Sequence, residues 1–185
     1  NSVTGEGSVI SGGILNTIIT DTSAIGGGAE NYISGSKSVI PGGWRDTVEA
    51  MYAYIGGGRS NRVTAINGTI VGGTNNDVTG PFGTVIGGSN NSANAQYAYA
   101  MGAGALADHE GSFVWKSYKP ATGSWGSTGP YQFLINAPGG VGIGTNTPTE
   151  QLDVAGNIHC SGIFKTGNSI SIDGVANTIT SSSHK

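Results

Sequence analysis

An all-β chain wound as a parallel β-roll of 15-residue coils is the fold this sequence predicts, on three observations. A glycine pair returns every 15 residues, at Gly12-Gly13, Gly27-Gly28, Gly42-Gly43, Gly57-Gly58, Gly72-Gly73 and Gly87-Gly88. Three residues past each pair stands Asn16, Asn31, Asp46, Asn61, Asn76 or Asn91, and two further on Ile18, Ile33, Val48, Val63, Val78 or Ala93. Just before the pairs lie Val9-Ile10, Ala24-Ile25, Val39-Ile40, Tyr54-Ile55, Ile70-Val71 and Val85-Ile86. Self-similarity at a fixed period, without an insertion, is the signature of stacked units that bury a continuous core between them.

One coil shows why. In residues 61–75, Val63 and Ala65 alternate with Arg62 and Thr64, a period of two that reads as a short strand with one buried face. Asn67-Gly68 is a turn signal. Thr69 to Val71 makes a second short strand. Gly72-Gly73 lets the backbone turn tightly, and Asn76 can bond its own backbone and hold the turn. The second glycines (Gly13, Gly28, Gly43, Gly58, Gly73, Gly88) and Asn16, Asn31, Asn61, Asn76 and Asn91 are therefore assigned to the repeat itself. Coils stacked about 4.8 Å apart would carry seven repeats, from about residue 6 to 107, over about 34 Å. Pro41, Trp44, Arg45, Asp46 and Glu49 in coil three, and Pro81-Phe82 in coil six, depart from the pattern while keeping the period, so they are expected to point outward. The seventh coil, Tyr99 to Gly104, keeps the outline with Leu106 in place of Asn, as expected of a terminal repeat.

Such coils hold few aliphatic groups each. Ordering costs about 1.5 kcal/mol per residue, and burial returns only about 25 cal/mol per Å². Burying a further face against identical chains closes the gap, and three-fold symmetry suits a rod.

The rest of the chain divides in two. Residues 1–107 are the roll; 108–137 read as an aromatic segment; 138–185 read as a neck and β-rich shaft. In the aromatic segment, Gly111 to Trp115 and Tyr131 to Ile135 read as strands around a loop from Tyr118 to Ser127. Phe113, Trp115, Tyr118, Trp125, Tyr131 and Phe133 form either a small core closing the roll or a glycan platform. In the shaft, Ile158, Ile163, Phe164, Ile170, Ile172, Val175 and Ile179 alternate with polar residues in short pieces.

Composition narrows the function classes. Glycine numbers 34 of 185 but does not fall every third position, which excludes collagen. Eight basic and eleven acidic side chains give a net charge of −3 with no basic run, which argues against nucleic acid. No stretch approaches 18 apolar residues, so no spanning helix is expected. Cys160 is alone, so no disulfide framework forms within one chain. The chain opens inside the repeat at Asn1-Ser2-Val3, which predicts a piece of a longer protein. Low charge and small polar residues suit an exported fibre.

Chemistry is sparse. Gly26-Gly27-Gly28 and Gly56-Gly57-Gly58 lack the Gly-Lys-Ser/Thr of a P-loop, and Gly140 to Gly144 lacks the βαβ setting of a dinucleotide site. Asp108-His109-Glu110 reads as a surface turn or, less simply, a metal ligand set; His109 or His159 could also meet its copies at a trimer axis. No nucleophile–base pair and no acidic pair is readable, so no catalytic, cofactor-binding or metal residue is assigned and no enzyme is expected. For binding, Trp44, Arg45 and Asp46 offer a ring, a forked donor and an acceptor in three residues; Tyr52 lies one coil on, and Trp125 in the aromatic segment. Plain turn packing is the competing explanation for each.

The motif Ser23-Ala24-Ile25-Gly26-Gly27-Gly28-Ala29-Glu30-Asn31, with Gly83 to Asn91, resembles the left-handed parallel β-roll heads of trimeric autotransporter adhesins of the YadA type. Val141 to Gly156, with Thr147-Pro148 and Leu152-Asp153-Val154, resembles the neck of phage tail fibres and bacterial surface fibres. The resemblance implies three parallel chains with aliphatic residues facing a shared axis. It implies an extracellular, cell-surface or virion location, and no ligand residue carries over. The expectation is a structural and adhesive fibre segment that presents a contact surface to a host or prey envelope, with glycan as one ligand class. Alternatives are a pure spacer whose tip lies elsewhere and a polysaccharide-degrading fibre.

Overall fold

The computed structural model describes residues 1–117, 125–159 and 161. The chain forms two compact units, Asn1–Gly140 and Val141–Lys185. The sequence-read tail from Ile163 to Ile179, together with Tyr118, Cys160 and His184, lies outside the described residues.

The first unit is an all-parallel β-solenoid. One ladder runs through Ser2–Val3, Thr17–Ile18, Tyr32–Ile33, Thr47–Val48, Arg62–Val63, Asp77–Val78, Ser92–Ala93, Ala105–Ala107 and Trp125–Gly126. The other runs through Val9–Ile10, Ala24–Ile25, Val39–Ile40, Tyr54–Ile55, Thr69–Ile70, Thr84–Ser89, Tyr99–Ala103, Phe113–Lys116 and Phe133–Asn136. Equivalent residues of successive coils pair in parallel, as in Ser2↔Thr17 and Val9↔Ala24. No described residue is helical.

Between the ladders lies a core one residue deep on each side. Ile18, Ile33, Val48, Val63, Val78, Ala93 and Ala107 come from the first ladder; Ile25, Ile40, Ile55, Ile70, Val85, Ala100 and Val114 come from the second, and all are buried. Period-two alternation places these residues inward and their neighbours outward. Pro41 marks a local cost: Ser11, Gly26 and Gly56 donate backbone N–H bonds to Ile25, Ile40 and Ile70, whereas proline has no N–H to give. Val39–Ile40 accordingly pairs with Tyr54–Ile55 at one residue, Val39↔Tyr54.

Three features differ from the sequence reading. First, each coil has a third contact line beside its two strands: Ile14, Ala29, Trp44, Arg59, Thr74 and Ser89 pair in succession as single parallel bridges. Second, the described strands within 108–137 continue the two ladders. Phe113–Lys116 and Phe133–Asn136 extend the second ladder and Trp125–Gly126 the first, after a shortened step (Tyr99↔Phe113) and a lengthened one (Phe113↔Phe133). The inward residues there are Val114 and Leu134; Phe113 and Phe133 stack on each other outside, with centroids 4.8 Å apart. The first compact unit runs from Asn1 to Gly140. Third, Asn76 does more than bond its own turn, as described below.

Two corners of each coil hold non-glycine residues in the left-handed region. Leu15, Glu30, Arg45, Ser60, Asn75 and Asn90 occupy one; Thr22, Lys37, Tyr52, Asn67, Phe82 and Tyr97 occupy the other, all at φ of 54–59°. This conformation costs about 1–2 kcal/mol for most L-residues and is eased by Asn or Gly. Thr22 is β-branched and exposed, and other coils place Gly7 and Asn67 at this corner. Thr22→Asn is therefore expected to stabilise the roll by about 1 kcal/mol, measured by urea denaturation; an unchanged or lowered midpoint counts against the strain.

The second unit contains one described parallel pair, Val141–Ile143 with Leu152–Val154, in the register Val141↔Leu152 and Ile143↔Val154. Asp153 accepts bonds from the backbone N–H and the hydroxyl of Thr149 in the connection.

Candidate functional site

The third contact line and the corner beside it decide where the sequence-read binding residues go. After each glycine pair, one residue bridges to its coil-neighbours, the next turns left-handed and the third enters the interior. Trp44, Arg45 and Asp46 occupy these three positions in order. The tripeptide read as one surface cluster is therefore split: Trp44 and Arg45 lie outside, and Asp46 is fully buried.

Asp46 belongs to a ladder of buried side chains running Asn16, Asn31, Asp46, Asn61, Asn76 and Asn91, with the exposed Asn1 at its head. Each side-chain Oδ1 accepts the backbone N–H of the next member, at 2.8–3.1 Å. Each Nδ2 of Asn16, Asn31, Asn61, Asn76 and Asn91 donates to two glycine carbonyls, one four residues back and one in the following coil. For Asn76 these are Gly72 and Gly88, both at 3.1 Å. Such ladders satisfy buried polar groups that could not reach water. Asn1 also belongs, one period upstream of Asn16, and donates to Gly12 and Gly13. Asp46 breaks the pattern: its Oδ2 stands against Gly43, where other members hold the donating amide, and has no hydrogen-bond partner. Burial raises its pKa above the ordinary aspartate value, against the lowering effect of bonds from the Asn61 backbone and side-chain N–H.

Outside, Trp44 is the centre of a charged cluster. The guanidinium carbons of Arg45 and Arg59 lie 4.6 and 4.7 Å from its ring. Glu30 accepts from the indole Nε1–H at 3.3 Å and from Arg45 Nε. The Arg45 bond and then the Trp44 bond hold the Glu30 carboxyl below its ordinary range. The ring that the sequence offered for binding, against plain turn packing, thus stands beside two guanidinium groups. Arg59, which the sequence reading did not single out, completes it; its spacing of 15 from Trp44 was the available signal.

The remaining sequence-read positions do not join this cluster. Tyr52 is exposed on the opposite corner, where Lys37 Nζ lies 5.1 Å from its ring and bonds its hydroxyl. Trp125 packs against the core from the first ladder. His109 Nδ1 is 3.0 Å from the Ser127 hydroxyl, which also accepts the backbone N–H of Asp108 and His109. Among the described residues no group of three His, Cys, Asp or Glu is placed to hold a metal. No described helix is long and apolar enough to cross a membrane.

A second surface stands out by its apolarity. The outer side of the second ladder exposes Val9, Val39, Tyr54, Tyr99 and Phe133 in one column, with Ala24, Thr69 and Thr84 between them, and Val71, Ile86 and Ile135 in the next, after Ser11, Gly26, Pro41 and Gly56. The matching outer positions of the first ladder are Ser2, Thr17, Tyr32, Thr47, Arg62, Asp77 and Ser92.

No protein-family model matches this chain, and no curated protein sequence matches it significantly.

Proposed function

We propose that this solenoid is the structural and adhesive segment of a homotrimeric fibre outside the cell or on a virion, holding a contact surface towards another envelope. The observation that carries the reading is the one-sided apolar face of the second ladder. Contiguous exposed apolar surface on a soluble protein marks an interaction site. Because its apolar residues stand in register along the ladder, parallel copies would meet at several coils, and closed symmetry would bury the face in every chain alike. The number three rests on the resemblance to trimeric adhesin heads. Trimerisation multiplies weak contacts, raising avidity by about 10²–10⁴-fold over one site. The polar first ladder and the Trp44 edge then remain outward as the contact surface.

Light scattering tests the assembly. The expected mass is three times 18.5 kDa, and Ile86→Glu, in the apolar face, is expected to shift it towards the single chain. A stable 18.5 kDa particle overturns the reading. Glycan-array binding on the same sample tests the adhesive part, and a trimer that binds no glycan or envelope component is left as a spacer.

A further inference from the structure

Arg59 is the one guanidinium of the Trp44 cluster without a carboxylate. Glu30 is engaged by Arg45 and by the indole Nε1–H. The other described ion pair, Arg62 with Glu49 at 3.0 Å, belongs to the first ladder's outer side. Arg59 is exposed, and no described carboxylate lies within ion-pair distance of it. A guanidinium held 4.7 Å from the indole centroid can meet the ring with its face and keep its N–H edges for a ligand. That edge arrangement suits the two oxygens of a carboxylate or sulfate.

The rest of the edge says what carries the oxyanion. From Arg59 the bridge line continues as Thr74 and Ser89, and the corner beside it as Ser60, Asn75 and Asn90. These are two rows of hydroxyl and amide groups with no carboxylate, spaced by one coil, about 4.8 Å. An acidic peptide would bind most readily by adding a strand to an open edge. Here the bridge-line backbone is already engaged coil to coil, as in Arg59 N–H to Gly73 and Thr74 N–H to Gly88. Repeating side-chain hydroxyls and amides match a repeating hydroxylated ligand instead.

We propose that this edge is a binding site for an acidic polysaccharide, with Arg59, braced on Trp44, gripping a carboxylate or sulfate while Ser60, Thr74 and Asn75 meet the sugar hydroxyls. The inference deepens the contact-surface reading and rests on it for the choice of a saccharide. Binding of the intact chain is measured against polygalacturonate, dextran sulfate, uncharged dextran and poly-glutamate, with mass recorded on the same sample. Polygalacturonate, dextran sulfate or both are expected to bind, weakening with salt, while dextran does not. The anion preferred separates uronate from sulfate ester. Arg59→Gln is expected to weaken binding about 10-fold or more, and Arg59→Lys to restore only part of it. Thr74→Glu, which places a competing carboxylate beside Arg59, is expected to abolish it in a chain whose melting is unchanged; Arg62→Gln is expected to change nothing. Binding that survives both Arg59→Gln and Thr74→Glu, that dextran matches, or that poly-glutamate equals overturns the site. A trimer that ignores all four polymers sinks the site and leaves the fibre; a single chain that binds through Arg59 does the reverse.

Discussion

Gly73→Ala is expected to destabilise the roll by about 3 kcal/mol or more, while Gly72→Ala costs nothing. The two glycines are adjacent and look equivalent in sequence, yet only the second is needed. Gly73 has φ of 100°, where an L-residue is strained whatever the space. A Cβ there would fall on the carbonyl oxygen of Gly88 and lie 2.7 Å from the Asn76 amide nitrogen and 3.0 Å from the Gly88 backbone nitrogen. Those are the groups that bind coil to coil, and backbone cannot step aside as a flexible side chain can. At Gly72 φ lies outside the left-handed region and the nearest atom is the Gly57 carbonyl oxygen at 3.7 Å. Alanine fits there and narrows the unfolded ensemble, a gain of about 0.5 kcal/mol. Because a solenoid opens locally as well as globally, urea denaturation at fixed protein concentration is best joined to hydrogen exchange of the Asn76 and Asn91 amides. Equal effects of the two substitutions would contradict the steric argument.

The same contrast separates what was legible in the sequence from what was not. Periodicity carried the coil length, both strands and the inward columns, because alternation and burial follow directly from side-chain type at Ile18, Ile25 and their equivalents. The third contact line was hidden because a single bridging residue has no alternation to read. Ile14, Ala29, Trp44, Arg59, Thr74 and Ser89 share no chemistry, only position. The left-handed corners were hidden for a related reason. Leu15, Arg45, Tyr52 and Phe82 are not turn residues by composition, and the coil holds them against propensity. The continuation through Phe133–Asn136 was missed because the step there changes length while the ladder register persists. At the candidate site, Trp44 and Arg45 were legible as outward departures, whereas Asp46 reads as their polar neighbour and is in fact interior.

That interior aspartate sets the largest expected gain. Asp46→Asn is expected to stabilise the chain by about 1–3 kcal/mol at pH 7, the cost of leaving a buried polar atom unsatisfied. Asn31 and Asn61, on either side, each donate through Nδ2 to two glycine carbonyls; Asp46 Oδ2 offers a lone pair at that place and finds no donor. Gly43 beside it has φ of 124°, against 83–109° at Gly13, Gly28, Gly58, Gly73 and Gly88. A proton on Oδ2 would supply the missing donor, and the raised pKa has that sense. The fold therefore binds this proton more tightly than the unfolded chain. The stabilisation it gives is complete below the unfolded aspartate value, near pH 4, and is lost as pH rises through the higher folded value. Wild type should lose stability across that window, while the asparagine variant lacks this titration. Their difference should be small near pH 3.5 and reach its plateau once Asp46 has ionised. Asp77, whose pKa burial also raises, with Arg62 opposing and Glu49 assisting, is present in both chains and cancels in the comparison. Urea midpoints of the two proteins at pH 3.5, 5 and 7 decide the matter. A difference independent of pH would mean that Asp46 stays in one protonation state throughout, and a less stable asparagine variant would mean that Oδ2 has a partner in solution.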